Sequence, residues 1–211
     1  MGENGAHGIT RLSGAPCSGA PLNTPKNTGP GRVRIVGGRW RGTRLDVPSV
    51  DGLRPTSDRV RETLFNWLQP ALPGARVLDL FAGTGALGFE AVSRGAASAV
   101  LVERDRGLAA ALTATAARLQ GGDAIDVRHG DALQIATALP AAGIDIAFVD
   151  PPFAVDLWSA ALAAVAPALA AEAWLYVESA AERPATPGAD WRLHRELRTR
   201  EAHCALYRRG G

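Results

Sequence analysis

Arg76-Val77-Leu78-Asp79-Leu80-Phe81-Ala82-Gly83-Thr84-Gly85-Ala86-Leu87-Gly88 opens as an apolar run and closes on glycines at 83, 85 and 88. The run predicts a buried strand over residues 76–81. The glycines predict a tight turn onto a helix over 86–94 that stops at Gly95. Downstream the alternation repeats: strand 98–103, helix 105–120, strand 125–129, a short helix after Asp131, strand 144–150, helix 156–171 and strand 174–179. Strands that alternate with helices specify an α/β fold, a mostly parallel sheet with helices on both faces. Residues 191–197 and 202–208 read as two strands with no helix between them, so an antiparallel hairpin closes the sheet. Together these make a Rossmann-like seven-stranded sheet.

Upstream the character changes. Residues 1–31 hold seven Gly and four Pro without apolar periodicity and read as a flexible extension. Residues 33–36 predict a short strand, Gly37-Gly38 a turn, and 39–47 a second strand or extended arm. Residues 56–68 predict a helix capped by Thr56, Ser57 or Asp58, with Val60, Leu64, Phe65 and Leu68 on one face. The domain reading is an extension over 1–31, a basic arm and helix over 32–74, and an α/β domain over 75–211. The full chain is 211 residues with a net charge of +2, but residues 1–62 carry ten basic side chains against five acids. Twenty-two of the 23 bases are Arg, whose planar fork suits phosphates and stacks on bases, although codon bias also favours it. With 46% hydrophobic and 21% charged residues the chain can build a core and is not intrinsically disordered. It has no run long enough to span a membrane. Two distant cysteines, Cys17 and Cys204, make no disulfide framework and fit a cytoplasmic setting. His7, His129, His194 and His203 are too scattered to bind a metal.

In an open parallel sheet the chemistry sits beyond the C-terminal strand ends. The first strand delivers Asp79 and the glycine turn, where Gly83 and Gly85 allow close approach of a ligand to a helix N-terminus. The second ends at Glu103, 20 residues after Gly83, in place to take ribose hydroxyls, or alternatively to cap the next helix. Asp131 adds a second acid on that rim, with capping again the alternative. These features indicate a nucleoside cofactor without separating a dinucleotide from S-adenosylmethionine. Asp150-Pro151-Pro152-Phe153 separates them. Consecutive prolines end the strand in a rigid turn. Such a turn holds the Asp150 carboxylate and the Pro151 carbonyl close together, with an aromatic ring beyond, a set that suits a planar base bearing an exocyclic amine. Accepting its N–H bonds frees the nitrogen lone pair for in-line attack on a methyl sulfonium, and Asp150 can take the proton.

Asp150-Pro151-Pro152-Phe153 and residues 79–88 resemble the catalytic and cofactor motifs of class I amino-methyltransferases. Arg34-Ile35-Val36-Gly37-Gly38-Arg39-Trp40-Arg41-Gly42 and Leu53-Arg54-Pro55-Thr56-Ser57-Asp58-Arg59-Val60-Arg61-Glu62-Thr63-Leu64-Phe65-Asn66 are similar, more specifically, to the RsmD family of bacterial 16S rRNA (guanine-N2) methyltransferases. The resemblance runs from about Val33 to Arg208 and leaves 1–31 unmatched. It implies methyl transfer from S-adenosylmethionine to one guanine N2 in 16S rRNA, in an assembled or partly assembled 30S subunit. It further implies cofactor contacts from Thr56, Asp79, Gly83, Gly85, Glu103 and Asp131, and catalysis by Asp150, Pro151, Pro152 and Phe153.

Arg39 and Arg41 are candidates for RNA phosphates. Trp40 between them is either a base-stacking platform or a side chain packed on the sheet. Arg192, Arg195, Arg198, Arg200, Arg208 and Arg209 either extend a phosphate-binding face or line a solvated hairpin. N6 of adenine in DNA or RNA is the alternative acceptor. A nicotinamide oxidoreductase leaves the Asp150 turn without a role, and a non-catalytic RNA-binding module predicts affinity that survives loss of Asp150.

Overall fold

The computed structural model describes Met1 and residues 33–45 and 57–210. The expected extension over 1–31, the end of the basic arm at 46–47 and Thr56 lie outside those residues. A two-stranded hairpin comes first, β1 (Val33–Arg34) against β2 (Arg44–Leu45), followed by α1 (Asp58–Leu68). Ser57 caps α1 by accepting from the Val60 N–H. The main sheet and its helices follow in chain order: β3 (Arg76–Asp79), α2 (Ala86–Ser93), β4 (Ser98–Glu103), α3 (Arg106–Arg118), β5 (Ile125–His129) and α4 (Ala132–Thr137). Then come β6 (Ile144–Val149), α5 (Trp158–Val165), β7 (Leu169–Ala180), β8 (Trp191–Arg198) and β9 (Ala202–Arg209).

The seven strands lie in the order β5-β4-β3-β6-β7-β9-β8. β3 pairs in parallel with both β4 and β6, and β6 with β7, whereas β9 runs antiparallel to β7 and to β8. From β3 the chain builds outward through β4 and β5, then returns to lay β6 on the other side. The crevice of this topological switch lies between the ends of β3 and β6.

Period-two alternation sorts the core into two layers. Phe148 of β6, Tyr176 of β7 and Leu206 of β9 join Leu64, Phe65 and Leu68 of α1 and Phe89 of α2 on one face. There Phe65, Phe148 and Tyr176 stack edge to face in series, with centroids 5.9 and 6.1 Å apart. Ala147, Val149, Leu175, Val177, Ala205 and Tyr207 point the other way, onto Trp158, Ala161 and Val165 of α5. Each large apolar side chain so buried contributes roughly 1.5–3 kcal/mol relative to exposure.

Three expected boundaries move by more than two residues. Within 39–47 only Arg44–Leu45 is strand. Residues 38–43 turn on themselves through Arg41 N–H to Gly38 O (3.2 Å) and Thr43 N–H to Trp40 O (3.0 Å). The helix expected over 156–171 stops at Val165, because the alanine run reads as helix while Pro167, in a 3-10 turn, cannot donate to continue it. β7 then begins at Leu169, earlier than the expected 174, since Leu169 pairs with Ile144 of β6 and this outweighs alanine's local preference.

Candidate active site

The glycine turn is fixed from both sides. Leu80 N–H donates to Phe148 O (3.1 Å) and Ala82 N–H to Val102 O (2.9 Å), so the chain leaves β3 stitched to β6 and to β4. Gly85 then takes φ 73°, a left-handed conformation that costs an L side chain, and caps α2. At Gly88 the reason is contact: a Cβ would fall 2.5 Å from the Leu101 side chain. Its N–H donates to Asp79 Oδ2 (2.9 Å). Burial pushes the Asp79 carboxyl up to about 7, against the Gly88 N–H and with help from Glu103.

Glu103 is clamped at the end of β4. Its Oε2 accepts from Gly83 N–H (2.8 Å) and its Oε1 from Asp105 N–H (2.7 Å). The cap of α3 is Asp105, which accepts from Leu108 N–H (2.8 Å), so Glu103 is not spent on capping. Asp131 does cap: its Oδ1 accepts from Leu133 and Gln134 N–H, both at 3.0 Å. Gly130 N–H donates to Glu103 O (3.0 Å), which ties this acid to the same rim.

The Asp150 turn faces these groups across the crevice. Pro151 is buried, Pro152 exposed and Phe153 half-buried, with the Phe153 ring 6.0 Å from that of Trp158 at a tilt of 46°. Asp150 is half-buried, and burial, then Glu178, then Asp79 push its carboxyl well above the usual carboxylate range. Glu178 lies in the Tyr176-Val177-Glu178-Ser179 stretch covered by the RsmD resemblance, but carried no role of its own there. It is 9% exposed, and the Tyr176 hydroxyl donates to its Oε2 (2.8 Å).

Glu103 acts through space on Asp79, and Glu178 and Asp79 on Asp150, so these acids line one crevice. A cationic methyl sulfonium carrying a ribose fits the same rim: Glu103 offers acceptors to vicinal hydroxyls, and the glycine turn leaves room for close approach.

Behind the rim, the N-terminal hairpin is fastened to α2 through Glu90, which has no solvent exposure. Its carboxylate accepts from Val36 N–H (2.7 Å), Gly37 N–H (2.7 Å) and Arg94 Nε (2.6 Å), and stands 3.8 Å from Nη1 of the fully buried Arg61. Trp40 belongs to this attachment, so its expected role as a base platform is corrected. It is 5% exposed, lies edge-on to Phe89 at 6.3 Å, and donates its indole N–H to Gln120 O (3.0 Å). A base cannot reach its face. Arg39 covers the ring at 4.6 Å, and both Arg39 and Arg41 are exposed. No helix among the described residues is long and apolar enough to cross a membrane.

The family model described as "Conserved hypothetical protein 95" matches residues 33–208. The chain is 45% identical over 192 residues to the ribosomal RNA small subunit methyltransferase D of Escherichia coli K12, covering 89% of this chain and 96% of that protein. With the protein of the same name from Haemophilus influenzae Rd it shares 38% over 183 residues, 84% of this chain and 94% of the relative. The solved structure of Escherichia coli yhhF superposes with a TM-score of 0.76 at 46% identity, over 85% of this chain and 98% of that one. With the glycine turn, the acidic rim and the Asp150 turn in one crevice, these matches show that the chain belongs to the RsmD family of class I methyltransferases.

Proposed function

We propose that the protein methylates the exocyclic N2 of a guanine in 16S rRNA, using S-adenosylmethionine, within an assembled or partly assembled 30S subunit. The observation that carries this reading is the Asp150-Pro151 turn projecting beside the acidic rim, in a chain whose relatives are named for small-subunit ribosomal RNA. S-adenosylmethionine, when bound, supplies a methyl group activated on a sulfonium. Glu103 holds the ribose hydroxyls, Gly83 and Gly85 admit the methionine portion, and Asp79 keeps the turn in shape through Gly88. Asp131 offers its second oxygen toward the adenine amine.

The Asp150 carboxylate and the Pro151 carbonyl accept the two N–H bonds of the guanine amine. That draws the nitrogen out of conjugation and points its lone pair inward. Pro152 keeps the turn rigid, and Phe153, braced by Trp158, stacks on the base. As the new bond forms, Asp150 takes the amine proton, a task suited to a carboxyl raised well above the usual carboxylate range by burial and by Glu178 and Asp79. Arg39 and Arg41 bind RNA phosphates.

The test is transfer of labelled methyl from S-adenosylmethionine to small subunits from cells lacking the endogenous enzyme, followed by nucleoside analysis. Label in N2-methylguanosine is the expected product, and Asp150→Ala should abolish it while leaving cofactor affinity nearly intact. Label in N6-methyladenosine would reassign the acceptor. No label on particles, free rRNA or DNA would overturn the reading.

A further inference from the structure

β6 and β7 run parallel with Val149 opposite Val177, so the next residues, Asp150 and Glu178, stand abreast at the rim. Alternation puts Glu178 on the face shared by Tyr176 and Phe148, and there the Tyr176 hydroxyl donates to it (2.8 Å). The main chain of Glu178 is tied to the catalytic turn as well. Its carbonyl accepts the indole N–H of Trp158 (2.8 Å), the residue that braces Phe153.

We propose that Asp150 and Glu178 form a pair holding one proton between them in the free protein, with Glu178 the positioning residue that acts through Asp150. This rests on the reading of Asp150 as acceptor of the amine proton. The balance is as follows. The nitrogen–carbon bond forms, the carbon–sulfur bond breaks with its electrons kept by sulfur, and one N–H proton passes to Asp150. The pair goes from one proton and one negative charge to two protons and none, and the extra proton leaves to water once the product has gone.

Two adjacent carboxyls cannot both ionise cheaply away from water, so the last proton stays until the pH is well above the ordinary carboxylate range. Among the described residues, three other titratable groups face the pair. Asp79 comes from β3, Tyr176 from β7 and Cys204 from β9, opposite Glu178. Burial holds Tyr176 neutral and pushes the Cys204 thiol up to about 12, while Phe65 of α1 adds no charge on this face. Asp79 is the remaining neighbour whose charge changes near neutrality.

The test follows the Asp150 carboxyl by NMR in protein carrying isotope-labelled aspartate, its signal assigned by comparison with Asp150→Asn. In the wild type it should titrate above the usual carboxylate range. In Glu178→Gln the midpoint should fall by about one pH unit or more. Tyr176→Phe, which withdraws the donor that favours ionised Glu178, should lower the Asp150 midpoint in the same direction and serves if Glu178→Gln does not fold. An unmoved midpoint in a folded variant overturns the pair whatever the activity, because this titration needs neither cofactor nor RNA. A shifted midpoint in a protein that methylates no RNA supports the pair and overturns the functional reading instead.

Discussion

Glu90→Ala tests how the N-terminal hairpin is held. The substitution removes the acceptor of two backbone N–H groups and one guanidinium, and takes away the fully buried countercharge of Arg61, leaving the nearer but exposed Asp58. Arg61 is fully buried, and its Nε and Nη1 have no hydrogen-bond partner, so Asp58 would be left as its compensation. Breaking a buried ion pair from one side costs about 3–5 kcal/mol. The orphaned Val36 and Gly37 amides would add to that if the site stayed dry, but both residues are half-buried and water can reach them. A loss of about 4 kcal/mol is therefore expected, equivalent to roughly 8–16 °C in melting temperature for a domain of this size. Urea denaturation gives the magnitude, and amide exchange at Val36 and Gly37 shows whether the hairpin detaches before the sheet melts. Glu90→Gln, which keeps the volume and one acceptor oxygen, should fall between the two proteins. A loss below about 1 kcal/mol with unchanged protection at both amides would refute the reasoning, because the network would then contribute packing alone.

Glu103→Ala should weaken S-adenosylmethionine by roughly 10–100-fold, the worth of hydrogen bonds to a charged acceptor; calorimetry giving an affinity within threefold of wild type would remove Glu103 from the site. The Asp79 carboxyl stays protonated to about 7 when folded but ionises from about 3.8 when unfolded. Its contribution to stability is therefore complete below pH 4 and lost as pH rises through 7, on the order of 4 kcal/mol at most. Denaturation across that window should show Asp79→Asn without this decline, and parallel profiles for the two proteins would count against the buried carboxyl. Trp40→Ala should cost about 3–5 kcal/mol yet leave the salt dependence of RNA binding unchanged. Replacing Arg39 and Arg41 with Ala should flatten that dependence, and the opposite pattern would return Trp40 to the RNA interface.

What the sequence made legible was local. The strand, glycine turn and helix around Gly83, Gly85 and Gly88 carry their own periodicity and punctuation, and β5 falls on 125–129 as expected. Asp150-Pro151-Pro152-Phe153 was equally legible, because two prolines dictate a turn wherever they stand. What was not legible depends on partners far along the chain. Whether Trp40 meets RNA or the protein is decided by the Gln120 carbonyl, 80 residues away. Glu90 reads as an ordinary helix-surface acid until Val36 and Gly37 arrive from more than 50 residues upstream. Glu178 gains its meaning from the register that sets β7 against β6. The alanines after Val165 favour helix locally, and only the sheet makes some of them strand.

The strand made last in the main sheet is not its outermost. β9 lies between β7 and β8, so Trp191–Arg198 is synthesised before the strand that connects it to the rest. Until Ala202–Arg209 exists, the flank of β7 is an open edge, a surface prone to pairing with other chains. The half built on β3, β4 and β5, with its glycine turn and Glu103, needs no such wait. A chain interrupted before β9 would then hold a formed cofactor cleft beside an unfinished catalytic wall. On the proposed reading, vectorial synthesis would separate the two halves of the crevice in time, the side that holds the methyl donor before the side that meets the base.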